Sequence, residues 1–115
     1  MFWKNRSSEL ERKVNNLGEN ELKKIILKKI EAESENYYLE VIMNSKAIIY
    51  ARAEEIYRRC ELTIILKEKI LNLDEKVLQK MMYSDHILDE LYRFDLEKKE
   101  KGFEINVEDF LETLS

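Results

Sequence analysis

The sequence predicts an all-α protein, an antiparallel bundle of four to five helices around one long central helix. The 115-residue chain contains no proline and only two glycines, so few residues are present that would interrupt a helix. Apolar residues recur three, four and seven positions apart between Tyr37 and Leu71. That spacing places side chains on one face of an α-helix.

The predicted central helix covers Tyr37–Leu71 and would be roughly 50 Å long at about 1.5 Å per residue. One apolar line runs along it and consists of Tyr38, Ile42, Ile49, Ile56 and Thr63. We expect Ile49 and Ile56 to lie at the centre of the core, because shorter helices would pack along this line.

The N-terminal segment predicts a first, short helix. Ser8 followed by Glu11 fits a capping box, in which each side chain bonds the backbone of the other residue. The first helix is therefore predicted at Ser8–Leu17, with Gly18 ending it in a left-handed conformation. Residues 1–7 would then form an N-terminal arm.

A second helix is predicted to begin after Asn20, a residue that favours the N-cap position. Its apolar residues are Leu22, Ile25, Ile26 and Ile30. We expect a break or kink near Ser34, because one straight helix from Asn20 to Leu71 would far exceed the usual length. Either the second helix ends there and Asn36 caps the next, or it bends and continues.

The C-terminal third predicts two or three further helices. Asp74 and Ser84 are the candidate N-caps, and Gly102 is expected to stop the helix that precedes it. The tail, residues 103–115, is either a short strand or a last helix beginning near Asn106. We favour the helix.

Length and composition suit a single helical domain covering residues 1–115. Charged residues make up 38% and hydrophobic residues 44% of the chain, which excludes a disordered tail and a membrane protein. The formal net charge is −4, and direct nucleic-acid binding is not expected because no basic face is evident. The single cysteine and the polar N-terminus favour a cytoplasmic protein.

No catalytic, cofactor or metal site is predicted. Cys60 and His86 are the only thiol and imidazole, fewer than the four ligands of a typical zinc site. His86, Asp89 and Glu90 fall within one helical turn, so a carboxylate site is geometrically possible. The Glu-x-x-His pair of di-iron bundles is missing, because Tyr83 stands where the glutamate would be.

Enzyme activity is likewise not expected. The chain has no glycine-rich phosphate loop and no G-x-S-x-G turn. A remote alternative is an all-α nucleotide pyrophosphatase, which would bind magnesium through acidic pairs. The available pairs are Glu31 with Glu35 and Asp85 with Asp89.

Six residues are candidates for contact with a protein partner. Tyr50 and Tyr57 lie seven positions apart on a flank of the central helix, and tyrosine is enriched at interfaces. Arg52 is expected to pair with a glutamate inside the protein, although reaching solvent or a partner is also open to it. The full set is Trp3, Tyr50, Arg52, Tyr57, Arg58 and Arg59.

Two segments resemble the helical domain of archaeal GINS subunits: Ile49–Ile56 (IYARAEEI) and Asn72–Leu78 (NLDEKVL). Members of that family share a long helix with an Arg-x-x-Lys-Ile segment, a short turn and an Asn-Leu-x-x-Glu-Glu helix start. The similarity covers roughly a third of the chain, and Glu55 replaces the family's lysine. The resemblance implies a non-enzymatic subunit of a replicative helicase assembly. The small β domain that usually accompanies the helices is absent here or reduced to the last dozen residues.

We therefore expect a non-enzymatic helical protein–protein interaction subunit or scaffold. The named candidate is a GINS-like accessory of a DNA replication complex. Because the central helix is apolar on more than one flank, we expect a homodimer or a place in a larger complex. The alternative is a small phage- or virus-type inhibitor that binds a host protein through acidic helices. Its acids would be Glu31, Glu33, Glu35, Glu104, Glu108, Asp109 and Glu112.

Overall fold

The structure confirms an all-α helical bundle. The computed structural model describes the backbone of residues 2–98 and 102–115 and, from Glu9 onward, their side chains. These residues form seven helices and no strand. The helices are α1 (Phe2–Asn15), α2 (Glu19–Ile42), α3 (Lys46–Ala51), α4 (Ala53–Ile70), α5 (Glu75–Met81), α6 (Ile87–Glu97) and α7 (Phe103–Thr113).

None of the helices in these residues combines the length and apolar character needed to cross a bilayer.

Helices α2 and α4 form an antiparallel pair at the centre of the bundle. Near the start of α2, Lys23 Nζ donates to the Leu71 carbonyl oxygen at the far end of α4, at 2.9 Å. Near the end of α2, Glu40 lies 3.6 Å from Arg52, at the start of α4. Helix α5 packs on α2, α6 packs on both central helices, and α7 packs on α4 and α6.

The expected break near Ser34 is wrong, and α2 continues through it from Glu19 to Ile42. No proline or glycine occurs within this stretch, so nothing in it forces the helix to end. The continuity places Glu33 and Tyr37 on one rigid element. Both side chains contact α4 or α6, as described below.

The predicted continuous helix Tyr37–Leu71 is also wrong, because the chain turns at residues 43–45. Asn44 Nδ2 donates to the Glu40 carbonyl oxygen at 2.8 Å. Ser45 then caps α3, with its Oγ accepting the Ile48 N–H. These are the local side-chain bonds by which asparagine and serine compete with a helix. A second interruption at Arg52 separates α3 from α4.

The N-terminal helix boundaries differ from those predicted at Ser8–Leu17. Helix α1 begins at Phe2, so residues 2–7 are helical and do not form an arm. Gly18 has φ −75° and is the N-cap of α2, whereas the prediction gave it a left-handed conformation. Asn20 lies inside α2 and caps nothing.

The C-terminal caps are partly as predicted. Asp74 caps α5, because its Oδ1 accepts the Val77 N–H at 3.0 Å. Ser84 does not cap α6, since His86 occupies the N-cap position. The tail is helical, as favoured, but α7 begins at Phe103 with Gly102 as its N-cap, and Asn106 is buried inside the helix and does not begin it.

The core lies between α2, α4, α5, α6 and α7, with Val14 added from α1. Helix α4 contributes Leu62, Leu66 and Ile70, which are at most 2% exposed. The expected central residues Ile49 and Ile56 are only half-buried and lie outside this core. The prediction failed because the chain is interrupted at residues 43–45 and again at Arg52. Ile49 therefore lies in α3 and Ile56 at the start of α4, which runs antiparallel to the end of α2 that carries Tyr38 and Ile42.

Two isoleucine substitutions distinguish the observed core from the predicted one. Ile26 is fully buried in α2, so we expect Ile26→Ala to lower the free energy of unfolding by about 2–5 kcal/mol. Ile56→Ala should cost roughly 1–2 kcal/mol, because less apolar surface is buried there. Urea denaturation of both variants measures the difference, and an equal or larger loss for Ile56→Ala would contradict this core assignment.

Candidate functional site

A cleft of about 410 Å³ opens between α2, α4 and the N-terminal end of α6. Its lining includes Glu33 and Tyr37 from α2, Arg59 from α4, and His86 and Asp89 at the start of α6. These residues come from three separate parts of the chain. The cleft therefore forms only when α2, α4 and α6 are packed together.

The N-terminus of α6 is capped by a residue from α2. The N-cap residue, His86, makes no capping hydrogen bond with its side chain. Instead, Glu33 Oε1 accepts the Leu88 N–H and Glu33 Oε2 accepts the Asp89 N–H, each at 2.9 Å. A carboxylate at a helix N-terminus is also favoured by the helix dipole. Glu33 therefore fixes where α6 begins relative to α2.

This cap brings three potential metal ligands together. One ligand atom from each of Glu33, His86 and Asp89 lies within 4.8 Å of the other two. The sequence grouped His86 and Asp89 because they are one turn apart, but added Glu90, which is exposed and outside this group. It missed Glu33, because no local pattern relates a residue of α2 to the start of α6.

Arg59 connects the three helices around the cleft. Its Nη1 donates to Asp89 Oδ1 at 2.7 Å. Its guanidinium carbon lies 4.4 Å from the ring centroid of Tyr37 and 4.5 Å from that of Tyr92. An arginine between two aromatic rings gains cation–π attraction from both. Arg59, held between the two rings, therefore fixes the position of the Asp89 carboxylate.

Glu55 continues this network away from the cleft. Its Oε2 accepts hydrogen bonds from the Tyr37 hydroxyl and, at 2.8 Å, from Arg52 Nη2. Burial opposes ionisation of Glu55, but these two hydrogen bonds and the charges of Arg52 and Arg59 outweigh it and lower its pKa. Burial and the hydrogen bond to Glu55 raise the pKa of Tyr37 to about 12.

A second polar network lies inside the bundle and not in the cleft. The fully buried Asp95 of α6 accepts from Arg58 Nη2 at 2.7 Å and from Arg58 Nε at 3.0 Å. Its other oxygen accepts from Asn106 Nδ2 at 2.7 Å. A buried charge is tolerated when it is paired and hydrogen-bonded, so this network joins α4, α6 and α7.

The five predicted interaction residues whose side chains the structure describes divide into two groups. The three arginines all pair internally, and the internal pair expected for Arg52 is confirmed with Glu40 and Glu55. The two tyrosines are exposed, with Tyr57 contacting the Phe103 ring edge at 6.0 Å between centroids. Trp3 falls in α1, and its side chain lies outside the described residues.

An exposed apolar surface lies at the opposite end of α2 from Gly18. We use the term corner surface for the exposed residues Leu39, Ile42, Met43, Ile48 and Tyr50. Met43 is 88% and Ile42 70% exposed. Helix α3 packs on α4 and contributes no buried residue. Ile48 and Tyr50 are two positions apart, so they lie on opposite sides of α3.

Comparisons with protein-family models, with curated proteins and with solved structures gave no match to this chain.

Removing the carboxylate of Glu33 tests its role as the cap of α6. We expect Glu33→Ala to lower the free energy of unfolding by about 1–3 kcal/mol, because two backbone N–H groups lose their acceptors. Glu35→Ala is the control, since Glu35 is exposed on the same helix, and should stay within about 0.5 kcal/mol of the wild type. Equal effects of the two substitutions in urea denaturation would contradict the cap.

The lowered pKa of Glu55 predicts a loss of stability in acid. Its contribution is complete above the unfolded-state pKa of about 4.3 and disappears as the pH falls through the lower folded-state pKa. The stability difference between the wild type and Glu55→Gln should therefore shrink between pH 7 and pH 3. Glu54→Gln, at an exposed neighbouring position, should differ little from the wild type at either pH. A wild-type advantage over Glu55→Gln that does not change with pH would argue against this network.

Proposed function

We propose that this protein is a non-enzymatic helical interaction module that pairs with a second copy of itself through the corner surface. The observation that carries the proposal is the exposure of this surface. Soluble monomers rarely leave large contiguous apolar patches open to water. Here Leu39, Ile42 and Met43 are exposed at the end of α2, although Val41 among them is buried.

The size of the corner surface supports a dimer contact. A fully exposed side chain of this size offers roughly 200 Å², so the five residues together present on the order of 700 Å². A standard interface buries about 800 Å² on each partner. Because Ile48 and Tyr50 lie on opposite sides of α3, only part of this area can face one partner, and the corner surface would supply part of each side of such an interface.

The charges around the corner surface are compatible with self-pairing. Exposed Glu35 and Glu40 border it on α2, and exposed Lys46 borders it at the start of α3. In a two-fold contact each surface meets its own copy. A border of one sign would repel itself, whereas a border of both signs permits complementary pairs.

The GINS-like role remains a proposal for a larger complex. It rests on Ile49–Ile56, which crosses from α3 into α4, and on Asn72–Leu78, which leads into α5. The first segment includes Tyr50 of the corner surface and the second segment lies outside it. A heterologous subunit in place of the second copy would therefore be compatible with the same interaction function.

The acidic-inhibitor alternative has less support. Glu33 caps α6, Glu31 lies 3.6 Å from Lys67, and Glu104 and Glu108 lie 3.4 and 2.9 Å from Lys69. Acids with partners inside the protein are less available to imitate a free anionic surface. We therefore place this alternative second.

Light scattering at micromolar concentration tests the proposed dimer. We expect a mass of twice that of the chain, and Ile42→Glu should give the monomer mass because it places a charge within an apolar contact. Ile105→Glu is the matched control, because Ile105 is also exposed but lies on α7. It should leave the dimer intact.

Two outcomes would oppose the proposal. A wild-type monomer at every concentration would overturn pairing with a second copy. If a photo-crosslinking residue at position 42 then captured no protein in the source cell, the interaction function itself would be overturned. A dimer that Ile105→Glu disrupts and Ile42→Glu does not would place the interface elsewhere.

A further inference from the structure

We infer that Glu33, His86 and Asp89 form a binding site for a divalent transition-metal ion of the zinc class. The inference is independent of the proposed interaction function, because the cleft and the corner surface are formed by different residues. It rests on the meeting of one imidazole and two carboxylates on the wall of a cleft. These are the nitrogen and oxygen ligands that zinc accepts in proteins.

Binding requires the ligand atoms to move closer together. The three ligand atoms lie within 4.8 Å of one another. Two ligands of a tetrahedral zinc ion, each about 2.1 Å from it, are about 3.4 Å apart. The pairwise distances would therefore shorten by up to about 1.4 Å, and the exposed His86 can contribute to this by rotating about its side-chain bonds.

The carboxylates keep coordination capacity beyond their present hydrogen bonds. An ionised carboxylate has about four lone-pair sites. Glu33 uses one site on each oxygen for the N–H groups of Leu88 and Asp89. Asp89 bonds Arg59 through Oδ1, which leaves Oδ2 for a metal. The cap of α6 and a bound ion are therefore compatible.

The surroundings of the two carboxylates suit a metal site. Ligands of a bound metal are commonly oriented by hydrogen bonds from neighbouring groups. Two backbone N–H groups orient Glu33, and Arg59, fixed between two tyrosine rings, orients Asp89. The other nearby cation, Lys29, lies 3.6 Å from Asp85. A divalent cation would thus meet carboxylates already held in place.

The ligand set indicates which metal the site would take. Imidazole favours zinc and other first-row transition ions, whereas magnesium and calcium favour oxygen ligands alone. Three protein ligands leave a fourth position open on the side of the cleft. Water or a side chain of another molecule would fill that position.

The single histidine gives a direct test on the full chain prepared without a polyhistidine tag. His86 is the only imidazole, so its ring carbon-bound protons give one set of NMR signals. We expect Zn²⁺ to shift or broaden these signals until one equivalent is added, and Mg²⁺ at the same concentration to leave them unchanged. Calorimetry with Zn²⁺ should give one ion per chain.

Three variants locate the ligands. His86→Ala, Glu33→Gln and Asp89→Asn should each weaken Zn²⁺ binding at least tenfold. Glu90→Gln is the control, because Glu90 is exposed next to Asp89 and should bind as the wild type does. Circular dichroism confirms that each variant is folded.

Two results would overturn the inference. One is a His86 signal that Zn²⁺ does not change. The other is calorimetric binding that His86→Ala and Glu33→Gln leave at wild-type affinity, since the ion would then be held elsewhere. Failure of either kind would leave the dimer measurement unaffected, so the two proposals are tested separately.

Discussion

The cap that Glu33 provides for α6 is the interaction on which the site depends. A helix leaves its first N–H groups without partners inside the helix, and His86 does not supply an acceptor from its side chain. The acceptor comes from the middle of α2, so α2 has to remain helical through Ser34. The contact between Glu33 and the start of α6 also places two carboxylates and the protein's only imidazole at one end of the cleft.

The arginines of α4 extend the same organisation through the bundle. Arg59 lies toward α2 and α6, between Tyr37 and Tyr92. Arg58, one position earlier and about 100° away around the helix, reaches Asp95. Two adjacent residues thus hold α4 against different neighbouring helices. The hydrogen bonds of each ion pair have a preferred direction, which a purely apolar contact does not impose. The core supplies most of the stabilisation, while these pairs define how the helices are positioned.

The corner surface belongs to an elongated bundle. The protein measures 46 × 31 × 26 Å and has a radius of gyration of 15.6 Å, compared with about 13 Å for a compact domain of this size. Helix α3 has its main contacts with α4, and its residues Ile48 and Tyr50 remain exposed. The cleft thus results from the packing of α2, α4 and α6. The corner surface, in contrast, consists of side chains that the other described helices leave exposed.

The sequence by itself determined the all-α class, the Asp74 cap and the helical tail, because composition, capping residues and apolar spacing act over a few neighbouring positions. The sequence also contains local turn signals at Asn44 and Ser45. The regular apolar spacing of the surrounding segment outweighed them in the prediction. Only the tertiary structure decided that Ile49 and Ile56 lie outside the core, since burial depends on which face a neighbouring helix covers. It alone brought Glu33 to His86 and Asp89, because that contact joins helices distant in the chain and no local pattern encodes it.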